Sequence, residues 1–173
     1  MDLMDAIKGR RSVRRFKNQT IPNELITQLI EAATSAPSAG NIQPWEFVIV
    51  KNSITKEKLL KASHNQVSIQ EAPVVIVVCA DQQRSSTGYG NRGETLYCLQ
   101  DTAAAIQNIL LTAHSLGLGT CWIGSFNEDE AKEAVKAPDG VRPIAMIPVG
   151  YPNVTPRQRS RRPVSEVVHQ DRF

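Results

Sequence analysis

Residues 94–124 read ETLYCLQDTAAAIQNILLTAHSLGLGTCWIG, and the fold turns on this stretch. Leu96, Leu99, Ala103, Ile106, Leu110 and Ala113 recur at helical spacing and predict a helix from about Glu94 to Ser115. At 1.5 Å per residue it is roughly 30 Å long. Ile109 and Leu111 widen its apolar stripe, and a helix apolar on more than one side has to be covered from two directions. After it, Leu116–Gly124 is punctuated by glycine and runs into a strand or loop.

Working outward, Val74–Ala80 (VVIVVCA) is an unbroken apolar run of strand length, fit for a central strand buried on both faces. Trp45–Lys51 is a second strand, rich in β-formers, and Arg142–Gly150 is the last. Asp2–Gly9 predicts a short helix stopped by its glycine. Pro22 suits a first helical position, and Leu25, Ile26, Leu29, Ile30 and Ala33 then share one face. That helix ends near Ser35–Pro37, because proline disfavours helix at the residue before it. Ala36–Pro44 (APSAGNIQP) is a loop, and a polar helix follows at about Ile54–Ala62. Asp81–Gly93, polar and without periodicity, reads as a surface excursion. Asn127 caps a helix to about Val135, with Glu128, Asp129 and Glu130 in its first turn. The tail, Tyr151–Phe173, has too little apolar surface to fold alone and should drape over another surface. The order predicts an α+β sandwich in a single domain, 1–173, whose central, mainly antiparallel sheet of four or five strands is flanked by helices.

Composition agrees. Of 173 residues, 41% are hydrophobic and 21% charged, ordinary globular usage with enough chain for a sizeable core. A net charge of +3 is too small to imply nucleic acid, so where the positive charge sits matters more than its sum. Cys79, Cys98 and Cys121 form no C-x-x-C or zinc pattern and read as reduced, buried thiols of a cytoplasmic protein. The start, MDLMDAIKGR, lacks the apolar core of a secretory signal, and no uncharged apolar run approaches the ~20 residues that span a bilayer. His64, His114 and His169 are isolated, so no acid–base pair is evident, and no metal set either.

Three features could carry chemistry. Arg10, Arg11, Arg14 and Arg15 open the chain, with Ser12 among them, and Arg157, Arg159, Arg161 and Arg162 close it. Arginine presents a planar fork that matches phosphate with two hydrogen bonds. An RRS turn after a helix therefore suits a phosphate, though a solvated basic turn has the same spacing. The tail arginines alone would also fit a nucleic-acid patch, but no aromatic residues interleave with them. In PSAGNIQPW, small residues allow close approach to a flat ring and Asn41 can donate and accept at a ring edge; an ordinary connection into a strand reads the same. GLGTCWIGSF, Gly117–Phe126, exposes backbone N–H groups but lacks the spacing of a dinucleotide fingerprint.

Together, GRRSVRRF, SAPSAGNIQPWEFVIV, VVIVVCA, DTAAAIQNILLTAHSLGLGTCWIG, and PVGYP followed by RSRRP resemble, in order and over nearly the whole chain, the nitroreductase family of flavoproteins. The resemblance implies an intertwined homodimer that holds flavin mononucleotide (FMN) at the subunit interface. It also implies electrons drawn from NADH or NADPH and passed in two-electron steps to nitroaromatic, quinone or related acceptors, with the chemistry on flavin N5 and no protein acid or base. Arg10, Arg11, Ser12 and Arg14 match the family's first flavin-binding segment; by that match Arg10 and Ser12 take the phosphate and ribityl end, and Arg14 the pyrimidine edge of the ring. Pro37, Ser38, Ala39 and Asn41 match the loop laid on the flavin by the other subunit. Trp122, Ile123, Gly124 and Ser125 match the segment facing N5 and O4, and Arg159 and Arg161 the C-terminal phosphate binders. The tail, 151–173, is expected on the partner. Two departures stand out: the stretch between Ala80 and the long helix is short where many relatives carry extra helices, and Gly124 stands where some carry Glu. A flavin store or redox sensor without turnover is the alternative. Another is a specialised family reaction such as flavin fragmentation, dehalogenation or ring desaturation.

Overall fold

A strand with no polar side chain on either face needs a layer on both, and this requirement organises the molecule. The computed structural model describes all 173 residues. Strand β2 (Val74–Asp81) lies between β1 (Trp45–Val50) and β4 (Val141–Gly150), and a two-residue strand, β3 (Gly119–Thr120), pairs on the far side of β4. Every pairing is antiparallel, so the sheet has four strands in the order β1-β2-β4-β3. Side chains of β2 alternate between two cores. Val74, Ile76 and Val78 meet Leu29 and Ala33 of α2 (Asn23–Thr34) and Ala105, Ile106 and Ile109 of α6 (Cys98–Ser115). Val75, Val77 and Cys79 meet Leu59 of α3 (Ser53–Ala62), Ile69 of α4 (Val67–Glu71) and Ala131 of α7 (Glu128–Val135). Continuous apolar strands are commonest in parallel sheets; here both faces are helix-covered although the pairing is antiparallel. The register slips at Val78/Cys79, opposite Pro143, which has no N–H to offer the ladder.

The sequence reading needs three corrections. Asp81–Gly93 is a helix: the Asp81 carboxylate accepts the Arg84 N–H at 2.8 Å and starts α5 (Gln82–Arg92). Only Ser85 on α5 is buried, so no apolar periodicity betrays it. Its path breaks at Gly90 (φ +53°, ψ −141°), and one π-helical turn, Gly93–Tyr97, leads into α6. The regular long helix thus begins at Cys98 rather than Glu94. Third, α4 is only five residues long, too short for a periodic signal.

On α6 the chain's own core takes Cys98, Thr102, Ala105, Ile106, Ile109, Leu110 and Ala113. Leu96, Leu99, Ala103 and Leu111 stay half-covered, so part of the expected second apolar face has no cover from this chain. Residues 157–173 are exposed throughout, with one 3₁₀ turn at Val164–Glu166. No helix is long and apolar enough to cross a membrane.

Candidate functional site

Helix α1 (Leu3–Gly9) starts on Asp2, whose carboxylate accepts the Met4 N–H at 2.9 Å, and ends against the body of the protein at Arg10. The next residues run extended beside β3. Val13 donates its N–H to the Thr120 carbonyl at 2.8 Å, and Ser12 and Thr120 form a parallel bridge. Val13 and Phe16 point inward and are buried, which leaves Arg14 and Arg15 facing out and Arg10, Arg11 and Ser12 half-exposed. The fit is close: a Cβ on Gly119 would lie 2.8 Å from Val13 Cβ.

The far end of the segment is held by Glu71, which pairs with Arg15 and accepts the Phe16 N–H at 3.1 Å. Burial by itself pushes Glu71 up, but the hydrogen bonds from Arg15 and Phe16 and the charge of Arg15 outweigh it and hold the carboxyl below its ordinary value. Beyond β4 the chain returns along the same segment. Lys17 donates to the Tyr151 carbonyl at 2.9 Å, and Asn153 to that of Arg15 at 3.0 Å. The two ends of the sequence are therefore neighbours. Arg10, Arg11, Ser12 and Arg14 line a cleft of about 400 Å³ with Pro156, Arg157, Arg159 and Arg161.

That cleft holds six arginines and no carboxylate. None of the six forms an ion pair; the four pairs in the protein use Arg15, Lys132, Arg142 and Arg162. Burial, and then the like charges of Arg11 and Arg161, push Arg10 below the ordinary arginine value. Burial, and then the charges of Arg10 and Arg11, depress His114, whose ring packs on Gly9 so tightly that a Cβ there would lie 2.7 Å from Nε2. His114 fills space at the foot of α1, as its isolation in the sequence implies.

One residue past β3 comes Cys121, buried beside this cleft; burial raises its thiol, opposed by the charge of Arg14 and a hydrogen bond from Ser12. Trp122, Gly124 and Ser125 follow on the surface. Ile123 differs: its side chain is in the core, and its N–H and C=O both pair with Met146 at 3.0 Å. Trp122, Gly124 and Ser125 are thus the exposed residues of this segment, and Ile123 is not.

Pro37, Ser38, Ala39 and Asn41 lie elsewhere. Ala39 donates its N–H to Asp101 Oδ1 at 3.1 Å, near the start of α6, whereas His114 and the arginine segment are near its end. Asp101 and His114 are thirteen residues apart on α6, roughly 20 Å. Within one chain the cleft gathers Arg10, Arg11, Ser12, Arg14, Arg159 and Arg161; neither the Trp122–Ser125 segment, which follows Thr120 and Cys121 in the chain, nor the loop lines it. Arg157, visible in the closing arginine cluster but outside the family match, lines the cleft as well, and Asp101 and Arg84, which no sequence motif marked, grip the loop from positions far along the chain.

The comparisons match this architecture. The profile of the Nitroreductase family fits residues 7–71 and 65–151, and the chain belongs to that family. A protein of Methanothermobacter thermautotrophicus, provisionally named an NADH dehydrogenase/NAD(P)H nitroreductase, is 37% identical over 163 residues, covering 92% of this chain and 82% of its own. Nitroreductase A of Vibrio parahaemolyticus superposes with a TM-score of 0.92 at 28% identity, over 100% of this chain and 77% of that one. The NADPH:FMN oxidoreductase of Vibrio harveyi, solved with NAD+, gives 0.91 at 28% identity, over 99% and 77%.

Proposed function

We propose that the chain is an FMN-dependent oxidoreductase that takes electrons from NADH or NADPH and delivers them, two at a time, to nitroaromatic, quinone or related acceptors. The observation that carries this reading is the arginine cleft. Like charges held together without a counter-ion are unfavourable unless an anion joins them. A phosphate monoester has the charge and the oxygen geometry to accept from several guanidinium forks at once. The residues therefore fit the phosphate end of FMN. Relatives named FMN reductase and NADPH-flavin oxidoreductase support the choice of flavin.

Arg10, Arg11, Ser12, Arg159 and Arg161 would hold the phosphate and ribityl end, with Arg157 beside them. Exposed Arg14 supplies positive charge at the mouth of the cleft. The backbone of Trp122, Gly124 and Ser125, with little side chain at the last two, would offer a surface to the ring, and Pro37, Ser38, Ala39 and Asn41 would come to it from a second copy of the chain. When bound, FMN supplies the hydride chemistry that no side chain here can perform. The protein's share is to stack donor and acceptor in turn on one open face, which gives ping-pong kinetics.

The same reading calls for a homodimer, because the loop sits near the start of α6 and the arginine segment near its end, roughly 20 Å along the helix, so a second copy would supply the loop. The half-covered face of α6, the exposed Leu3, Met4 and Ile7 of α1, and the exposed Val164, Val167 and Val168 of the tail supply apolar area for a two-fold interface with the tail reaching across. The three thiols are free and buried, in keeping with a reducing cytoplasm. The test is an anaerobic titration. Purified protein should carry one non-covalent FMN per chain, lose its yellow colour with NADH or NADPH, and regain it with a quinone or nitroarene. Protein that binds no flavin refutes the assignment. Protein that binds flavin without being reduced by either nicotinamide is a store or sensor instead.

A further inference from the structure

The backbone of the Ala36–Pro44 loop is strained. Gly40, Asn41 and Gln43 all have φ near +55°, a left-handed region that asparagine tolerates and glutamine seldom visits. Non-glycine residues held there cost on the order of 1 kcal/mol or more each and persist only when their surroundings over-determine them. The surroundings can be named. Gln43 donates its N–H to Ser38 Oγ at 3.0 Å, closing the loop on itself. From outside, Arg84 Nε donates to the Ile42 carbonyl at 2.7 Å, and Asp101 Oδ1 accepts the Ala39 N–H at 3.1 Å.

Asp101 is the unusual member. It is a carboxylate on the core-facing side of α6, 7% exposed, among Cys98, Thr102 and Ala105. Its second oxygen, Oδ2, is buried with no partner. No cation pairs with the carboxyl. A buried acid with one free oxygen is costly, and packing alone would be better served by an apolar residue. Its one bond goes to the loop that holds Gly40, Asn41 and Gln43 in the left-handed region.

We propose that Asp101 is the positioning residue of the Pro37–Asn41 loop, fixing through the Ala39 N–H the conformation in which Ser38 and Asn41 meet the flavin ring held by the partner copy. This rests on the FMN reading given above. Asp101 touches neither cofactor nor substrate; it acts by making the loop rigid before the ring arrives, so that ordering the loop does not weaken binding.

The test compares full-length wild type with Asp101→Ala and Asp101→Asn. Asparagine keeps an oxygen at the Oδ1 position and can accept the same N–H; alanine cannot. Two quantities are read: hydrogen exchange at the Ala39 amide in the flavin-free protein, and the dissociation constant for FMN by fluorescence quenching. Asp101→Ala should exchange Ala39 about tenfold faster and bind FMN about tenfold more weakly, the worth of one hydrogen bond to a charged group. The melting temperature of the flavin-free protein should stay close to wild type, because removing the stranded oxygen offsets the lost bond. Asp101→Asn should restore both readings to within a few-fold. Wild-type FMN affinity in Asp101→Ala overturns the proposal, as does a fall in affinity that tracks a collapse in melting temperature and is equal in Asp101→Asn. If wild type itself binds no FMN, the flavin reading fails and this proposal with it. The Ala39 exchange rate then still decides whether Asp101 holds the loop.

Discussion

The arginine cleft and the Ala36–Pro44 loop are opposites. The cleft is strongly charged, open to solvent and short of bonds: six arginines line it, and none is ion-paired. The loop carries no charge and is bonded at Ser38, Ala39, Ile42 and Gln43, three of its four residues from Gly40 to Gln43 being left-handed. One region stores unsatisfied attraction for an anion. The other stores rigidity. A site divided this way draws its affinity from the first and its geometry from the second, and the two should answer differently to the same perturbation.

The largest expected effect comes from cutting the chain after Pro156, which removes Arg157, Arg159 and Arg161 from the cleft and leaves the loop intact. With each charge-assisted contact worth about 1.5–3 kcal/mol, FMN affinity should fall on the order of a thousandfold or more, so the cofactor should be lost on gel filtration. The same experiment reports on the tail's part in the dimer, since sedimentation of the shortened chain should show dissociation on dilution. A truncated protein that stays yellow and dimeric would break the comparison at its charged end.

Single substitutions should be milder. Arg10→Ala and Arg161→Ala should each weaken FMN roughly ten- to a hundredfold, without lowering the melting temperature of the flavin-free protein, because these arginines repel each other when no anion is present. Unchanged titration curves for both variants would remove the arginines from the site. Gly119→Ala should act on the seat of the cleft rather than on its charge. The new Cβ would meet Val13 at 2.8 Å, and overpacking of this kind costs about 1–3 kcal/mol, readable by thermal melting.

Salt should separate the two regions. Raising ionic strength from 0.05 to 0.5 M shortens the screening length to under about 5 Å, and FMN binding should weaken several-fold through the exposed arginines. The ratio of affinities between wild type and Asp101→Ala should move little, because the Asp101 carboxylate is only 7% exposed. A ratio that changes with salt would mean that the loop, too, works through charge.

The smallest effect is the response to acid, which has opposite signs at the two ends. Glu71, which holds the arginine segment, is depressed: its contribution to stability is present above the ordinary glutamate range and lost as pH falls through its lower folded value. Asp101 is raised by burial, opposed by the bond from Ala39. Its contribution is therefore present below the ordinary aspartate range and lost as pH rises through its higher folded value. Glu71→Gln should flatten the loss of stability below about pH 4, and Asp101→Asn should flatten the decline above it. Urea denaturation at several pH values would show both, and matching slopes in the two variants would contradict the assignment.

How legible the molecule was in its sequence differs by region. The strand Val74–Ala80 announced its place because seven apolar residues in a row leave no other solution, and the structure divides the first six between the two cores by simple alternation. The arginine clusters were visible as charge. Helix α5 was invisible because its exposed, glycine-containing residues bury only Ser85, and burial is what periodicity reports. Asp101 left one trace, a carboxylate on the core side of an otherwise apolar helix, but nothing in the sequence says that it serves Ala39, sixty-two positions earlier.

The sequence by itself determined the α+β class, the central strand, the long helix and the presence of two basic segments, since each follows from local composition and spacing. Only the tertiary structure brought the two ends of the chain together at Tyr151–Asn153 and Arg15–Lys17, turning two charge runs into one cleft. It alone put the Ser38–Asn41 loop at the opposite end of α6. The physical reason is that helices and strands are chosen by neighbours a few residues apart, whereas a site is made by backbone hydrogen bonds and packing between segments more than a hundred residues apart, whose pairing no local pattern encodes.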